Sequence, residues 1–295
     1  MSTALIVNPE ATRVTPELTL AVERELAAAG PVETLLTERP LHAVDLSETL
    51  DPGIERLYVF AGDGGFNEVV NGLMRDVPVG FLPGGSTSVL PRALGVPRDP
   101  IEAARALVRS SSERSISLGR VNGRRFTFSA GVGLDAELVR RVDALGRESG
   151  KRAGDVAFAR ELLRLFTERR GRFEPAMEVV GVGPVAFALV ANGNPYSYVG
   201  RIPLRIAPKA RFEEGLDLVA PRRLRARTLP EVAWWALAGR GQDRSSKVLY
   251  VHDADEIRIV SDRPVPLQVD GEDLGDVTEA LFEAERSALR VLVPG

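Results

Sequence analysis

The segment from Leu57 to Met74 constrains this chain more than any other. Leu57-Tyr58-Val59-Phe60 is a continuous apolar run of the kind that forms a strand buried on both faces, and it stops at Ala61-Gly62-Asp63-Gly64-Gly65. Beyond the glycines, Phe66, Val69, Val70, Leu73 and Met74 recur at helical spacing and give one apolar face. A strand, a glycine turn and a helix are the first parts of a parallel βα unit. The turn therefore belongs at the carboxyl edge of a parallel sheet, where open α/β sheets bind their ligands.

The flanking sequence repeats the pattern. Ala4–Val7, Val32–Leu36, Leu57–Phe60 and Val79–Leu82 read as strands, with helices at Pro16–Ala29, Ala43–Leu50, Phe66–Arg75, Ser88–Leu94 and Pro100–Ser110. From Ser115 the texture changes. Ser115–Val121 and Arg124–Ala130 flank Asn122-Gly123, a dipeptide suited to a type I′ hairpin turn. Short strand-like runs follow at Val185–Ala191, Leu204–Ala207, Lys247–Val251, Glu256–Val260 and Leu267–Val269, interrupted by helical stretches at Arg152–Arg170 and Pro230–Ala238.

The expected fold is α/β plus β. A doubly wound, Rossmann-like domain spans residues 1–114, and a mainly antiparallel, sandwich-like domain with helical inserts spans 115–295, its last segment packing back on the first domain. A length of 295 residues with 44% apolar content supports two cores.

Composition removes several function classes. The net charge is −3 and the basic residues are dispersed, so nothing marks a nucleic-acid surface. There is no cysteine, hence no disulfide, thiolate metal site or cysteine nucleophile. Met1-Ser2-Thr3 leads directly into Ala4–Val7 without the charged start of a signal peptide, and no apolar stretch reaches the roughly 18 residues of a bilayer span. The expectation is a cytoplasmic protein whose membrane contact is peripheral and transient, at the inner surface. The oligomeric state stays open, a homodimer included.

Glycines let backbone N–H groups approach phosphate oxygens, and the helix that follows adds partial positive charge. Asp63 is then an odd neighbour. Its charge repels phosphate unless it holds a metal, takes a proton or contacts a ligand hydroxyl; the plainer alternative is a helix cap. No Walker-type Gly-Lys-Ser/Thr occurs, so magnesium, amides or arginines must meet the phosphate charge.

Several ordered motifs resemble the diacylglycerol kinase catalytic-domain family of bacterial lipid kinases and sphingosine kinases. Ile6-Val7-Asn8-Pro9 resembles its opening strand and turn, and Ala61–Gly72 (AGDGGFNEVVNG) resembles its GGDGTxNEVxNG signature. Phe81–Pro97 (FLPGGSTSVLPRALGVP), Ser129–Ala136 (SAGVGLDA) and Asp270-Gly271-Glu272 resemble later family motifs in the family's order. Departures are Ala61 for the first glycine, Gly65 for threonine, Ser88 for asparagine, and Leu90-Pro91 for phenylalanine-alanine.

The resemblance implies an ATP- and Mg²⁺-dependent kinase acting on a lipid with a free hydroxyl, with nucleotide in an interdomain cleft. Asn8, Thr37, Ala61, Gly62, Asp63, Gly64, Gly65, Asn67, Glu68, Gly85 and Ser86 are the expected nucleotide-binding residues; turn and cap chemistry is the plainer reading of Asn8, Thr37 and Ser86. Glu272 and Asp270, with Asp63 close behind, are the candidates for proton transfer, on the view that a tight turn points both acids of Asp270-Gly271-Glu272 the same way. Asp135 is placed near the lipid headgroup or the transferred phosphate, against an N-cap role. Glu214 and Asp217, in a stretch resembling DGLLD but one residue shorter, are expected to hold a structural magnesium. Lys151 and Arg152 either touch phosphate or are merely solvated, and Leu229–Ala238, with Trp234-Trp235, either lines an acyl pocket, rests on a membrane or is core. The competing functions are an NAD kinase and a catalytically silent nucleotide- or lipid-binding homologue.

Overall fold

The computed structural model describes residues 2–110, 112–149 and 155–295. Lys151, Arg152 and the beginning of the helix expected from Arg152 lie outside the described residues. The chain forms two compact units, one of Met1–Leu118 with Arg286–Gly295 and the other of Gly119–Glu285.

The first unit contains β1 (Thr3–Val7), α1 (Pro16–Leu26), β2 (Val32–Leu36), α2 (His42–Glu48), β3 (Arg56–Ala61), α3 (Asp63–Gly72), β4 (Val79–Pro83), α4 (Val89–Ala93) and α5 (Pro100–Arg109). The strands run in the order β4-β3-β1-β2, all parallel, with Thr3 beside Val32 and Arg56, and Leu57 beside Val79. Every residue of β1 and β4 is buried. Two helix starts follow directly from sequence: Thr15 accepts from Leu18 N before Pro16, and Asp99 accepts from Ile101 N and Glu102 N before Pro100. Beneath the sheet, Phe66 of α3 meets Phe81 of β4 edge to face, ring centroids 5.1 Å apart.

α3 begins at Asp63, three residues before the expected Phe66, and ends at Gly72. Gly62 is its N-cap, so the glycine loop is largely the first turn of the helix rather than a turn preceding it. Its end is equally determined by contact: a methyl on Gly72 would lie 2.2 Å from Val44 O of α2, so only glycine lets these helices approach.

The second unit contains β6 (Arg124–Phe126), β7 (Ser129–Val132), α6 (Leu134–Ser149), α7 (Asp155–Glu168), β8 (Arg172–Phe173), β9 (Met177–Val179), β10 (Gly183–Val185), β11 (Ala188–Ala191), β12 (Ser197–Val199), β13 (Ile202–Leu204), β14 (Leu216–Pro221), β15 (Leu224–Arg225), α8 (Leu229–Ala238), β16 (Val248–Ala254) and β17 (Glu256–Val269). β5 (Glu113–Val121) and β18 (Glu272–Leu292) carry the chain from one unit to the other. The antiparallel order is β16-β14-β11-β7-β17-β18. Phe126, Val190, Leu218, Val269 and Phe282 belong to its fully buried core. Asn122 and Gly123 take φ of 48° and 90°, as a type I′ turn requires. Helix α6 is absent from the sequence reading, because its first residues belong to a glycine-rich motif and its apolar positions are diluted by Glu137, Arg140, Arg141 and Asp143.

Candidate functional site

The first unit gathers its candidate residues at the carboxyl ends of parallel strands. Asn8 follows β1 and is held there by Asn8 N donating to Phe60 O at 3.0 Å, while its Oδ1 accepts from Glu10 N at 2.9 Å. Thr37 follows β2, its N–H donating to Val7 O at 2.9 Å. Ala61–Gly65 follows β3 and Gly84-Gly85-Ser86 follows β4. The last two loops lie against each other: Gly84 N donates to Ala61 O at 2.8 Å, and a methyl on Gly85 would stand 2.9 Å from Gly62 Cα. Gly64 and Ser86 are exposed.

Asp63 has a definite task in this arrangement. It is 7% exposed, and its Oδ1 accepts from Val89 N at 2.7 Å, tying the start of α3 to the start of α4. Ser88 completes the tie by bonding Gly85 through its hydroxyl while holding a left-handed backbone, φ 48°. Asparagine adopts that backbone more readily than serine, which accounts for the residue usual at this point of the motif.

The two departures in the glycine loop explain each other. A Cβ on Gly65 would lie 2.6 Å from the Ala61 methyl, so alanine at 61 excludes any side chain at 65. Gly65 is thus a packing consequence of Ala61. Asn67 and Glu68 are placed differently from Gly64 and Ser86. Asn67 is 1% exposed, and its oxygens accept from Asn71 Nδ2. Glu68 accepts from Ala43 N at 3.2 Å, fastening α3 to α2. Both serve the frame that carries the loop.

In the second unit the structure separates the two acids of Asp270-Gly271-Glu272. Asp270 and Gly271 have φ of 48° and 83° and form the tight turn between β17 and β18, with Val269 beside Glu272. Asp270 turns inward, where Oδ2 accepts from Thr127 N (2.7 Å) and Thr127 Oγ1 (2.9 Å), and Oδ1 from Phe128 N (3.0 Å) and Ser129 N (3.1 Å). Glu272 turns outward. Its side chain is 50% exposed and faces Arg124 Nη2 at 3.4 Å. The expectation that the turn aims both acids the same way is therefore corrected: the left-handed backbone at Asp270 and Gly271 breaks the strand pattern that would put residues i and i+2 on one face, and Asp270 is a structural pin for residues 127–129.

Asp135 is neither an N-cap nor open to solvent on all sides. It lies in the first turn of α6, and its Oδ2 accepts from Tyr196 OH at 2.8 Å and Gln268 Nε2 at 2.6 Å. Desolvation raises its carboxyl above the usual carboxylate range, against the lowering effect of those two bonds. Burial and the neighbouring Asp135 charge likewise push the Tyr196 hydroxyl well up, keeping it a proton donor. The other end of Gln268 accepts from Gly271 N at 2.9 Å, so the network runs from α6 to the 270–271 turn. A methyl on Gly131 would fall 2.2 Å from Asp135 Oδ2, which is why that glycine precedes it. Tyr196 and Gln268 escaped the sequence reading; the only signal was a glutamine within the apolar run Pro266–Val269.

The expected magnesium ligands are engaged otherwise. Asp217 is fully buried; its Oδ2 accepts from Tyr250 OH at 2.6 Å, while Oδ1 meets His252 Nδ1 at 2.7 Å and Asp253 N at 3.1 Å. Glu214 faces His252 Nε2 at 3.8 Å. No group of three or more acidic or histidine side chains among the described residues is arranged to hold a metal. Asp217 thus has both oxygens taken by Tyr250, His252 and Asp253 N, brought to it by β16.

A family model described as the diacylglycerol kinase catalytic domain matches residues 2–121. A diacylglycerol kinase of Bacillus subtilis (strain 168) is 30% identical over 218 residues, covering 72% of this chain and 69% of that relative. The crystal structure of a putative diacylglycerol kinase from Bacillus anthracis superposes with a TM-score of 0.77 at 22% identity, over 99% of this chain and 97% of that one. An NAD kinase from Archaeoglobus fulgidus in complex with ATP gives 0.52 at 13% identity, over 100% and 94%. At such identities the two structural likenesses show the fold alone.

Proposed function

Because the chain belongs to the diacylglycerol kinase catalytic-domain family, we propose that it transfers the γ-phosphoryl group of ATP to a hydroxyl of a diacylglycerol-like lipid. It is a lipid kinase, a phosphotransferase with an alcohol acceptor. The observation that carries the choice of ATP is the pair of glycine loops, Ala61–Gly65 and Gly84–Ser86, bonded to each other at the ends of β3 and β4 and locked by Asp63. Phosphoryl transfer asks little covalent chemistry of a protein and much positioning and charge stabilisation. The start of α3 offers backbone N–H groups and the positive end of a helix for phosphate oxygens, with Gly64 and Ser86 at the exposed edge and Asn8 and Thr37 beside them. Magnesium bound with the nucleotide would supply charge neutralisation.

Glu272 is the proton acceptor in this reading. Its carboxylate is half exposed, whereas Asp270 has its oxygens occupied by four donors. Asp63 acts as a positioning residue for the phosphate loop, and Asp135, with Tyr196 and Gln268, steadies the turn that presents Glu272. Contact with the inner membrane surface is peripheral in this reading, and no described helix is long and apolar enough to cross a membrane.

Labelled ATP offered with diacylglycerol, sphingoid bases and NAD tests the assignment. The expected product is phosphatidic-acid-like, and Glu272→Gln should lower turnover at least about 100-fold, the scale of a lost general base. Transfer to NAD but to no lipid, or ATP binding without transfer to any acceptor, would overturn it.

A further inference from the structure

Helix α8 is apolar apart from Glu231, and the second unit's core uses only part of it. Leu229 and Val232 pack against the cluster of Phe166, Phe187 and Leu224, and Trp235 against that of Tyr196 and Val219. The opposite stripe, Pro230, Ala233, Trp234 and Leu237 at i, i+3, i+4 and i+7, is exposed, with Trp234 58% and Leu237 48% accessible. A helix packed on one side by its own core and apolar on the other has a second neighbour to satisfy.

The adjacent hairpin extends the same surface. Arg205 N, just past β13, donates to Ala236 O of α8 at 2.7 Å, and Gln242 Nε2 donates to Arg205 O at 2.8 Å, so hairpin and helix form one body. At the hairpin's tip Val199 and Ile202 are 46% and 54% exposed, with Gly200-Arg201 between them.

Charge identifies the neighbour. Residues 201–247 carry 11 basic and five acidic residues, a surplus of six in a chain whose net charge is −3. Lys209 and Lys247 are paired with Asp243 and Glu231. Arg201, Arg205, Arg227 and Arg240 are exposed and have no acidic partner among the described residues, while Arg244, also exposed, shares Asp243 with Lys209. An apolar stripe with an outward tryptophan, set among unpaired arginines, matches the two layers of an anionic bilayer surface: acyl-headgroup boundary for the first, lipid phosphates for the second.

We propose that α8 and the β12–β13 hairpin form the face by which the protein docks on anionic phospholipid, with Trp234 and Leu237 inserting and the arginines reading surface charge. This deepens the lipid-kinase reading by naming the partner surface, but the docking itself requires no catalysis.

The test uses full-length protein without nucleotide and phosphatidylcholine vesicles with or without 30 mol% phosphatidylglycerol, about a strongly anionic leaflet. Co-sedimentation and a blue shift of tryptophan emission are expected only with phosphatidylglycerol, weakening in high salt. A Trp234→Ser/Leu237→Ser double variant should reduce the bound fraction about tenfold while leaving turnover of a short-chain, water-soluble diacylglycerol unchanged. An Arg201→Gln/Arg240→Gln/Arg244→Gln variant should bind both vesicle types equally weakly. Equal binding of the double variant and wild type overturns the proposal, as does failure of wild type to bind anionic vesicles. So does a double variant that alters only self-association in sedimentation velocity, which would make a second copy the occupant. Variant-sensitive docking with no lipid turnover would support the surface and refute the kinase reading instead.

Discussion

Asp270 and Glu272 are two residues apart and differ in everything that decides a carboxylate's role. Asp270 closes a backbone cradle at residues 127–129, so Asp270→Asn would turn an amide NH₂ against N–H donors. It should cost roughly 3 kcal/mol in denaturant unfolding, from buried donors left without an acceptor. Glu272→Gln, exposed and loosely paired with Arg124, should stay within about 0.5 kcal/mol of wild type while losing turnover. Loss of activity in the Asp270 variant is therefore no proof of a base. The Ala61–Gly65 pair makes a second residue-scale prediction. Gly65→Thr alone forces a methyl against Ala61 and should destabilise by about 1–3 kcal/mol, whereas Ala61→Gly with Gly65→Thr should recover most of that in thermal melts.

At the scale of elements, the polar networks tie strands to helices. Asp135 on α6 bonds Gln268 on β17, which bonds the 270–271 turn. Its raised carboxyl has a definite sign in stability. A carboxyl whose folded value lies above its unfolded value contributes stability below the ordinary carboxylate pKa, and that contribution is lost as pH rises through the raised value. Asp135→Asn, whose amide oxygen can still accept from Tyr196 and Gln268, removes this dependence. Melts at pH 4 and pH 7 should show the variant gaining on wild type at the higher pH. Strands β14 and β16 supply a second case. Their register sets His252 and Tyr250 on Asp217, so EDTA should leave the melting temperature of the nucleotide-free protein unchanged; a clear fall would restore a structural cation to this site.

For the whole molecule, the chain enters the second unit after Leu118 and returns after Glu285, and its last ten residues complete the first unit. Val291 pairs with Val79 in parallel, and Leu289, Val291 and Leu292 are 5%, 0% and 1% exposed. At about 1.5–3 kcal/mol for each buried side chain, deletion of residues 286–295 should unfold or aggregate the first unit, read by loss of its cooperative transition in melts. A two-part chain whose first part is finished by its last strand cannot be cut at its sequence midpoint into two folding pieces.

Local pattern determined a great deal here. The continuous apolar runs at Ala4–Val7, Leu57–Phe60 and Val79–Leu82 and the Asn122-Gly123 turn each depend on residues close in sequence, so the parallel half, the hairpin and the glycine loop were legible from local pattern. Family motifs then made the loop the candidate phosphate site. Tertiary structure alone decided what each acid does, because a carboxylate's role is set by donors brought from distant strands: Thr127 to Ser129 for Asp270, Val89 for Asp63, Tyr196 and Gln268 for Asp135, and Tyr250 and His252 for Asp217. The same holds for Gly65, whose missing side chain reads as a defect in the motif and becomes, beside the Ala61 methyl, a requirement of packing.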